Sequence, residues 1–187
     1  MKIKFLMWSV HRKKILAWEN IWRRGVLGPS RCQLYEAQEE TMEHLLNDCI
    51  FTSRLWDTFV TIFQQTYRDK ESIINTLNNW RRNFSKYEFL HLAWVLILGF
   101  IIWNVWKERN NRIFKNVCST TQCIFEKILR ELKEMVGTIV QNSPKNPPSE
   151  NEMQILCQLG MQGLIPQGMD RKVMNPTNKP DYWHPPP

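Results

Sequence analysis

Glycine is scarce in this sequence, with 7 residues among 187, and no series of short alternating strands bounded by turn residues occurs. A β-sheet architecture is therefore not predicted. Catalytic motifs are missing too, because the chain has no glycine-rich phosphate loop, no nucleophile paired with a base, and no carboxylate cluster suited to paired metals. The sequence predicts a protein that is not an enzyme and takes no small-molecule substrate.

The cysteines do not predict a disulfide framework, because the chain has 5 of them, an odd number, and their spacing is not typical of disulfide-bonded domains. These are Cys32, Cys49, Cys118, Cys123 and Cys157. The N-terminal apolar run is very short and more charge follows it, so no signal peptide is predicted. We expect a reduced, intracellular setting, either nucleus or cytoplasm.

Large apolar residues are abundant, with 43% hydrophobic residues, 9 Trp and 9 Phe, which is enough for one compact domain and a tail. Apolar positions recur every three or four residues, so the predicted fold is mainly α. The predicted helices are one or two short ones within 3–24, then 53–67, 71–84, 86–115 and 121–142, and a short one near Glu152–Leu159. Nine of the ten prolines lie between 144 and 187, which predicts a flexible tail.

Positive charge is concentrated in residues 1–31, which hold eight Lys or Arg and one acidic residue, Glu19. That segment alone carries the chain's whole net charge of +7. We consider two interpretations: contact with nucleic acid, or the solvated face of ordinary helices. The candidate nucleic-acid contacts are Arg12, Lys13, Lys14, Arg23, Arg24 and Arg31. The aromatic residues interleaved with basic ones in 3–24 could stack on and clamp single-stranded nucleic acid, but Trp at helical spacing is more often a core residue.

The segment 89–106 is almost entirely apolar for 18 residues, which is the lower limit for a membrane span. His91 and Asn104 interrupt it, so a buried core helix is the preferred interpretation and membrane association the alternative. For 121–142, the apolar stripe contains Phe125, Ile128, Leu129, Leu132, Met135, Val136, Ile139 and Val140. This stripe predicts an antiparallel partner for the long helix, with a short coiled coil as the alternative.

The stretch from Cys32 to Trp56 contains Cys32, His44 and Cys49, three groups that zinc favours as ligands. Thr41 is placed to cap the helix that carries His44. His44 and Cys49 are five residues apart, so they would lie on different faces of a regular helix. They could hold one metal only if that helix ends or loosens near Cys49.

A wider pattern surrounds these groups. Its residues are Trp8, Asn20, Arg23, Arg24, Gly25, Cys32, Tyr35, Glu40, Thr41, Glu43, His44, Leu45, Cys49 and Trp56. In order and spacing they resemble the reverse-transcriptase zinc-binding domain of plant non-LTR (LINE-type) retroelement polyproteins, over roughly residues 1–67. The resemblance implies zinc as cofactor, Cys32, His44 and Cys49 as ligands, and nucleic acid as a partner of low specificity. Tyr35 stands where the family has its second Cys, and a neutral phenol with a pKa of about 10 is a poor zinc ligand.

Two further segments resemble the same polyproteins. The run from Trp103 to Phe114 is similar to the Trp-Lys-x-Arg-Asn segment of the connecting region, which implies a core helix. The last five residues resemble the lead-in to a ribonuclease H domain, and we expect the chain to stop before that domain's first carboxylate.

These observations predict three parts: a zinc-knuckle-like domain in 1–67, a helical hairpin within a connecting region in 68–142, and a Pro-rich, largely disordered tail in 143–187. The predicted function is a non-catalytic, retroelement-derived module that contacts nucleic acid. The alternative is a decayed helical remnant, for structure or protein interaction, that binds neither zinc nor nucleic acid. No oligomeric state is predicted.

Overall fold

The computed structural model describes residues 2–28, 30–65, 72–80, 87–139 and 147–165. Within these ranges the chain is helical, with no strand and one isolated bridge between Arg31 and Glu39. The elements are α1 (Lys2–His11), α2 (Trp18–Trp22), a π-helical turn (His44–Asp48), α3 (Ile50–Ile62), α4 (Ile73–Trp80), α5 (Glu88–Lys115), α6 (Thr121–Ile139), α7 (Glu150–Gln158) and a 3₁₀ turn (Gln162–Leu164). The mainly α fold class is confirmed.

Helix α5 is the centre of the fold, because α1, α3, α4, α6 and the π-helical turn all pack against it. The segment Phe89–Lys115 is long and apolar enough to cross a membrane, yet 61% of its most apolar window is buried inside the protein. This burial is typical of a core helix. The two polar interruptions differ: His91 is exposed, whereas Asn104 is buried and donates to the Phe100 carbonyl and to a Glu131 carboxylate oxygen of α6.

Helices α5 and α6 form the predicted antiparallel hairpin, joined by residues 116–120. Asn116 ends α5 with a φ of 53°, a left-handed conformation that Asn tolerates. The buried face of α6 consists of Ile124, Ile128, Leu132 and Val136. The predicted stripe was therefore wrong at its edge, because Met135 and Ile139 are exposed. The buried residues of α6 recur every four positions. Beyond Leu132 the buried face therefore continues through Val136, and not through Met135 as the predicted three–four alternation required.

Helix α4 is fixed to α5 by a reciprocal tryptophan pair. The indole Nε1 of Trp80 donates to the carbonyl of Trp94 at 2.8 Å, and Nε1 of Trp94 donates to the carbonyl of Trp80 at 2.6 Å. The two rings stack with centroids 3.9 Å apart and planes 6° apart. Buried indoles need a hydrogen-bond acceptor, and this pair supplies both.

The expectation that the N-terminal tryptophans are core residues was wrong for Trp8 and Trp22. Helix α1 buries Leu6 and Val10, so Trp8 lies on its outer face and is 52% exposed. Helix α2 is only five residues long and buries none of them, and Trp22 is 62% exposed. These side chains are therefore available to a partner.

The predicted helix near Glu152–Leu159 is α7. Ser149 and Glu152 form a capping box at its N-terminus, and Ile155, Leu156 and Leu159 are buried. The expected flexible tail in 143–187 lies partly outside the described residues, at 143–146 and 166–187. The basic end of the 71–84 helix, Arg81 and Arg82, lies outside them too.

Candidate metal centre

Cys32 begins a loop that we call the knuckle loop, residues 32–38. The loop is closed by the Cys32 amide, which donates to the Gln38 carbonyl at 2.9 Å. The backbone amides of Leu34 and Tyr35 both point at Cys32 Sγ. Amide donors aimed at a sulfur stabilise a thiolate, which is the form that binds metals.

Cys49 is the N-cap residue of α3, and it is fully buried. The backbone amides of Phe51 and Thr52, in the first turn of α3, point at its sulfur. The free amides and the positive dipole end of a helix N-terminus favour an anion at this position. Each cysteine therefore has its own pair of backbone donors.

His44 comes to the same place through the π-helical turn. The amide of Cys49 donates to the His44 carbonyl at 2.7 Å, a wider turn that closes the five-residue spacing. Two side chains of α3 secure this turn: Thr52 Oγ1 donates to the Leu45 carbonyl and Trp56 Nε1 to the Leu46 carbonyl. Thr41 Oγ1 accepts from the His44 amide at 3.0 Å, which confirms the predicted cap. The helix thus loosens before Cys49, which is the condition for His44 and Cys49 to bind the same metal ion.

The ligand atoms of Cys32, His44 and Cys49 all lie within 4.8 Å of one another, and all three residues are buried. The two sulfurs are 3.8 Å apart. Two thiolates bound to one tetrahedral zinc at about 2.3 Å each are about 3.8 Å apart, so this spacing fits. Both ring nitrogens of His44 are buried and have no hydrogen-bond partner among the described residues. A buried imidazole without partners is costly, and ligation of a metal would give one of the two nitrogens a partner. The donor set therefore fits zinc.

The two thiols ionise differently. The hydrogen bond from Cys49, with further help from the Tyr35 and Leu34 amides, lowers the pKa of Cys32 to about 6 even though burial opposes ionisation. The same contact with Cys32, together with burial, raises the pKa of Cys49. The pair thus favours a thiolate on Cys32, and a divalent cation bound by both sulfurs would release the proton of Cys49.

Tyr35 stands where the family pattern has its second Cys, the ligand that this chain lacks. It is 45% exposed and does not belong to the three-residue group. Cys118, Cys123 and Cys157 are exposed and lie outside that group as well. The described residues therefore present three of four ligands to a metal.

Two arginines of α5 hold the parts of this site together, and sequence reasoning missed their roles. Arg112 donates from Nη1 to the carbonyls of Gln33 and Leu34, at 3.1 and 3.0 Å, and thus binds the knuckle loop. Its Nε pairs with Glu108 at 2.8 Å. The signals in the sequence were the charged end of an otherwise apolar helix and the resemblance of the Trp103–Phe114 run, neither of which indicated what the arginines contact.

The second arginine, Arg109, is buried together with Glu40. Its Nε and Nη2 donate to the Glu40 carboxylate at 2.7 to 3.2 Å, and the Trp18 amide donates to the same carboxylate at 3.0 Å. The two family-like segments, one around Glu40 and the other around Arg109, therefore meet in space.

We expect Arg112→Gln to weaken metal binding about 10- to 100-fold, the usual effect of losing a partner that orients the ligands. The Gln33 and Leu34 carbonyls would lose their donor, and the loop that aims Cys32 would loosen. Competition with a chromophoric zinc chelator would measure the affinity. Arg130→Gln, an exposed arginine on α6, is the matched control and should leave it unchanged.

The predicted nucleic-acid contacts, Arg12, Lys13, Lys14, Arg23, Arg24 and Arg31, are all exposed. Among the described residues, none of the six forms an ion pair. Asn20 brings two of the groups together, because its side-chain amide donates to the Lys13 carbonyl at 3.0 Å and accepts from Arg23 Nη1 at 3.5 Å. Glu19, the one acid of this segment, accepts from the Met42 amide. The six basic side chains are thus exposed and without an ion pair among the described residues.

Comparison with known proteins agrees with this geometry. Residues 1–56 match the family model described as zinc-binding in reverse transcriptase. A protein of Arabidopsis thaliana described as "Putative ribonuclease H protein" is 27% identical over 113 residues, which covers 60% of this chain and 18% of that relative. No solved structure matches the chain. The match and the Cys32–His44–Cys49 group together confirm the resemblance to plant retroelement polyproteins, and residues 1–56 are similar to the family of zinc-binding regions in reverse transcriptases.

Proposed function

We propose that this chain is a non-catalytic, retroelement-derived module whose Cys32, His44 and Cys49 hold a structural zinc ion and whose basic N-terminal surface contacts nucleic acid. One observation supports the metal part above all others: His44 places two buried, unpartnered ring nitrogens beside two cysteines. Burial in an apolar core would not by itself favour this arrangement.

The role of the three ligands would be structural. They come from the knuckle loop, the π-helical turn and the N-terminus of α3, three segments with few backbone hydrogen bonds between them. A shared zinc ion would join them, with a water or another side chain as fourth ligand.

The test is the metal content of the purified full chain. We expect about one zinc per chain, and a cobalt-substituted protein with the visible bands of a thiolate-ligated tetrahedral ion. His44→Ala should abolish binding. Cys157→Ser, which removes an exposed cysteine outside the group, should not. A wild-type chain without metal, even after refolding with excess zinc, would contradict the proposal.

For nucleic acid, the supporting observation is the exposed basic surface around Asn20, whose six Lys and Arg side chains form no ion pair among the described residues. Contacts by Lys and Arg to phosphates are largely independent of base sequence, and salt weakens them strongly.

We expect the double variant Arg23→Gln, Arg24→Gln to bind single-stranded oligonucleotides more weakly. Its slope of log affinity against log salt should be smaller by about 1.4, because each lost phosphate contact removes about 0.7 for single strands. Fluorescence anisotropy across a salt series measures both quantities. The control, Lys115→Gln with Arg130→Gln, removes the same charge from exposed positions outside the basic segment and should keep the wild-type slope. Equal slopes in all three proteins would contradict the assignment.

The second candidate is a decayed remnant that keeps the helical core but binds neither zinc nor nucleic acid. Tyr35, a non-ligand in the fourth position, favours it. Packing tolerates drift better than coordination does, so a core can outlast its site. A wild type with neither metal nor oligonucleotide affinity at low salt, but with a cooperative thermal transition, would support the remnant.

A further inference from the structure

A cluster of aromatic and basic side chains lies on the outer face of α1, opposite the face that packs on α5. We call it the α1 platform, and it comprises Phe5, Trp8 and Arg12. Phe5 and Trp8 are three residues apart on α1, and Arg12 follows four residues after Trp8, directly after the helix ends at His11. The Arg12 amide still donates to the Trp8 carbonyl, so the three side chains share one side. Phe5 is 68% exposed, more than Trp8.

The three side chains are organised among themselves. The Phe5 and Trp8 rings stack with centroids 5.8 Å apart and planes 28° apart. The Arg12 guanidinium lies 5.9 Å from the centre of the Trp8 ring, within range of a cation–π contact. Single exposed aromatic side chains are ordinary on protein surfaces. A stacked aromatic pair with a cation beside it is less so, and it favours a ligand that has a flat ring and a negative charge.

The surroundings specify the charge of that ligand. Lys13 and Lys14 follow Arg12 directly, and both are exposed. Lys2 and Lys4 add two further exposed cations on α1 itself, which has no acidic residue. An apolar protein partner would have to leave these cations unpaired, whereas a polyanion with flat apolar rings would satisfy both features.

We propose that the α1 platform is a stacking site for the bases of single-stranded nucleic acid, with Phe5 and Trp8 under the bases and Arg12, Lys13 and Lys14 along the phosphates. This inference rests on the nucleic-acid part of the proposed function and names the form of nucleic acid. Bases in a single strand expose their flat faces, whereas a duplex buries them in its own stack. Stacking is tolerant of sequence, which agrees with the low specificity expected for this module.

The test compares binding of a labelled 12-nucleotide oligo(dT) and of a duplex of equal length to the full chain at low salt. We expect preference for the single strand, and a loss of about 5- to 150-fold on Trp8→Ala, the range of one lost base stack. Trp8→Phe should restore most of the affinity. Phe5→Ala should act in the same direction. The salt slope should stay at the wild-type value in these variants, because stacking releases no counterions.

Phe114→Ala is the control, since it removes an exposed aromatic side chain outside both the platform and the basic N-terminal segment and should not weaken binding. Equal melting temperatures would show that the Trp8 and Phe5 variants are folded. If Trp8→Ala and Phe5→Ala bind as well as wild type while Arg23→Gln, Arg24→Gln binds less, the platform is overturned and the nucleic-acid function stands. If no single strand binds at all, both fall. Equal affinity for the single strand and the duplex would also overturn the platform. So would a wild type that light scattering shows to be a dimer and Trp8 or Phe5 variants that it shows to be monomers, because the platform would then be a dimer interface.

Discussion

Replacing Tyr35 with Cys is expected to raise the zinc affinity of the chain more than any other single change. The effect should exceed the roughly 10- to 100-fold that loss of an outer partner costs, because a direct ligand is added. The Tyr35 amide already points at Cys32 Sγ, so the backbone at this position is close to the group. A thiol, with an ordinary pKa of about 8.5, yields its proton to zinc far more readily than a phenol of pKa about 10. Chelator competition on the full chain would measure the gain.

Tyr35→Ser and Ala37→Cys separate the possible causes of that gain. The serine variant removes the phenol without adding a ligand and should bind like wild type. The Ala37→Cys variant adds a thiol to an exposed position two residues further along the same knuckle loop, and it should gain little. Cobalt-substituted Tyr35→Cys should also show stronger thiolate-to-metal absorption than wild type. Equal gains from Cys at positions 35 and 37 would mean that an extra thiol, and not a fourth position of the knuckle, explains the result.

The ligand set could be predicted from the sequence because its signals are local. Cys32, His44 and Cys49 lie within 18 residues, and Thr41 sits immediately ahead of the turn that it caps. The helices were predictable for the same reason, since each one shows its apolar period over a short window. What remained open was the five-residue spacing of His44 and Cys49. The π-helical turn resolves it, and that turn is held by Thr52 and Trp56 from the following helix.

The contacts that hold the site against the core could not be predicted. Arg109 and Glu40 are 69 residues apart, and Arg112 is 79 residues from Gln33. Nothing local distinguishes a buried arginine from a solvated one at a helix end. The exposure of Trp8 and Trp22 was missed for the opposite reason, because residue type favours burial and only the packing of α1 on α5 shows which face is covered.

Breaking the Glu40–Arg109 pair should cause the largest loss of stability in this fold. Both side chains are at most 4% exposed, and the Glu40 carboxylate also receives the Trp18 amide. Arg109→Met leaves that carboxylate buried without its cation, and removing one member of such a pair costs about 3–5 kcal/mol. For a chain of this size each kcal/mol corresponds to about 2–4 °C, so the melting temperature should fall by about 6–20 °C. Thermal unfolding followed by circular dichroism would measure it.

The controls for this prediction use charge changes of the same kind. Arg130→Met, at an exposed position of α6, should change the free energy of unfolding by no more than about 0.5 kcal/mol. The double variant Glu40→Leu, Arg109→Met should recover part of the loss, because two apolar side chains leave no unpaired charge behind. The loss should extend to the metal site, since Glu40 connects α5 to the segment that leads into His44. An Arg109→Met protein that melts within about 2 °C of wild type, an effect of about 1 kcal/mol or less, would show that α5 and the zinc-binding region do not depend on this pair.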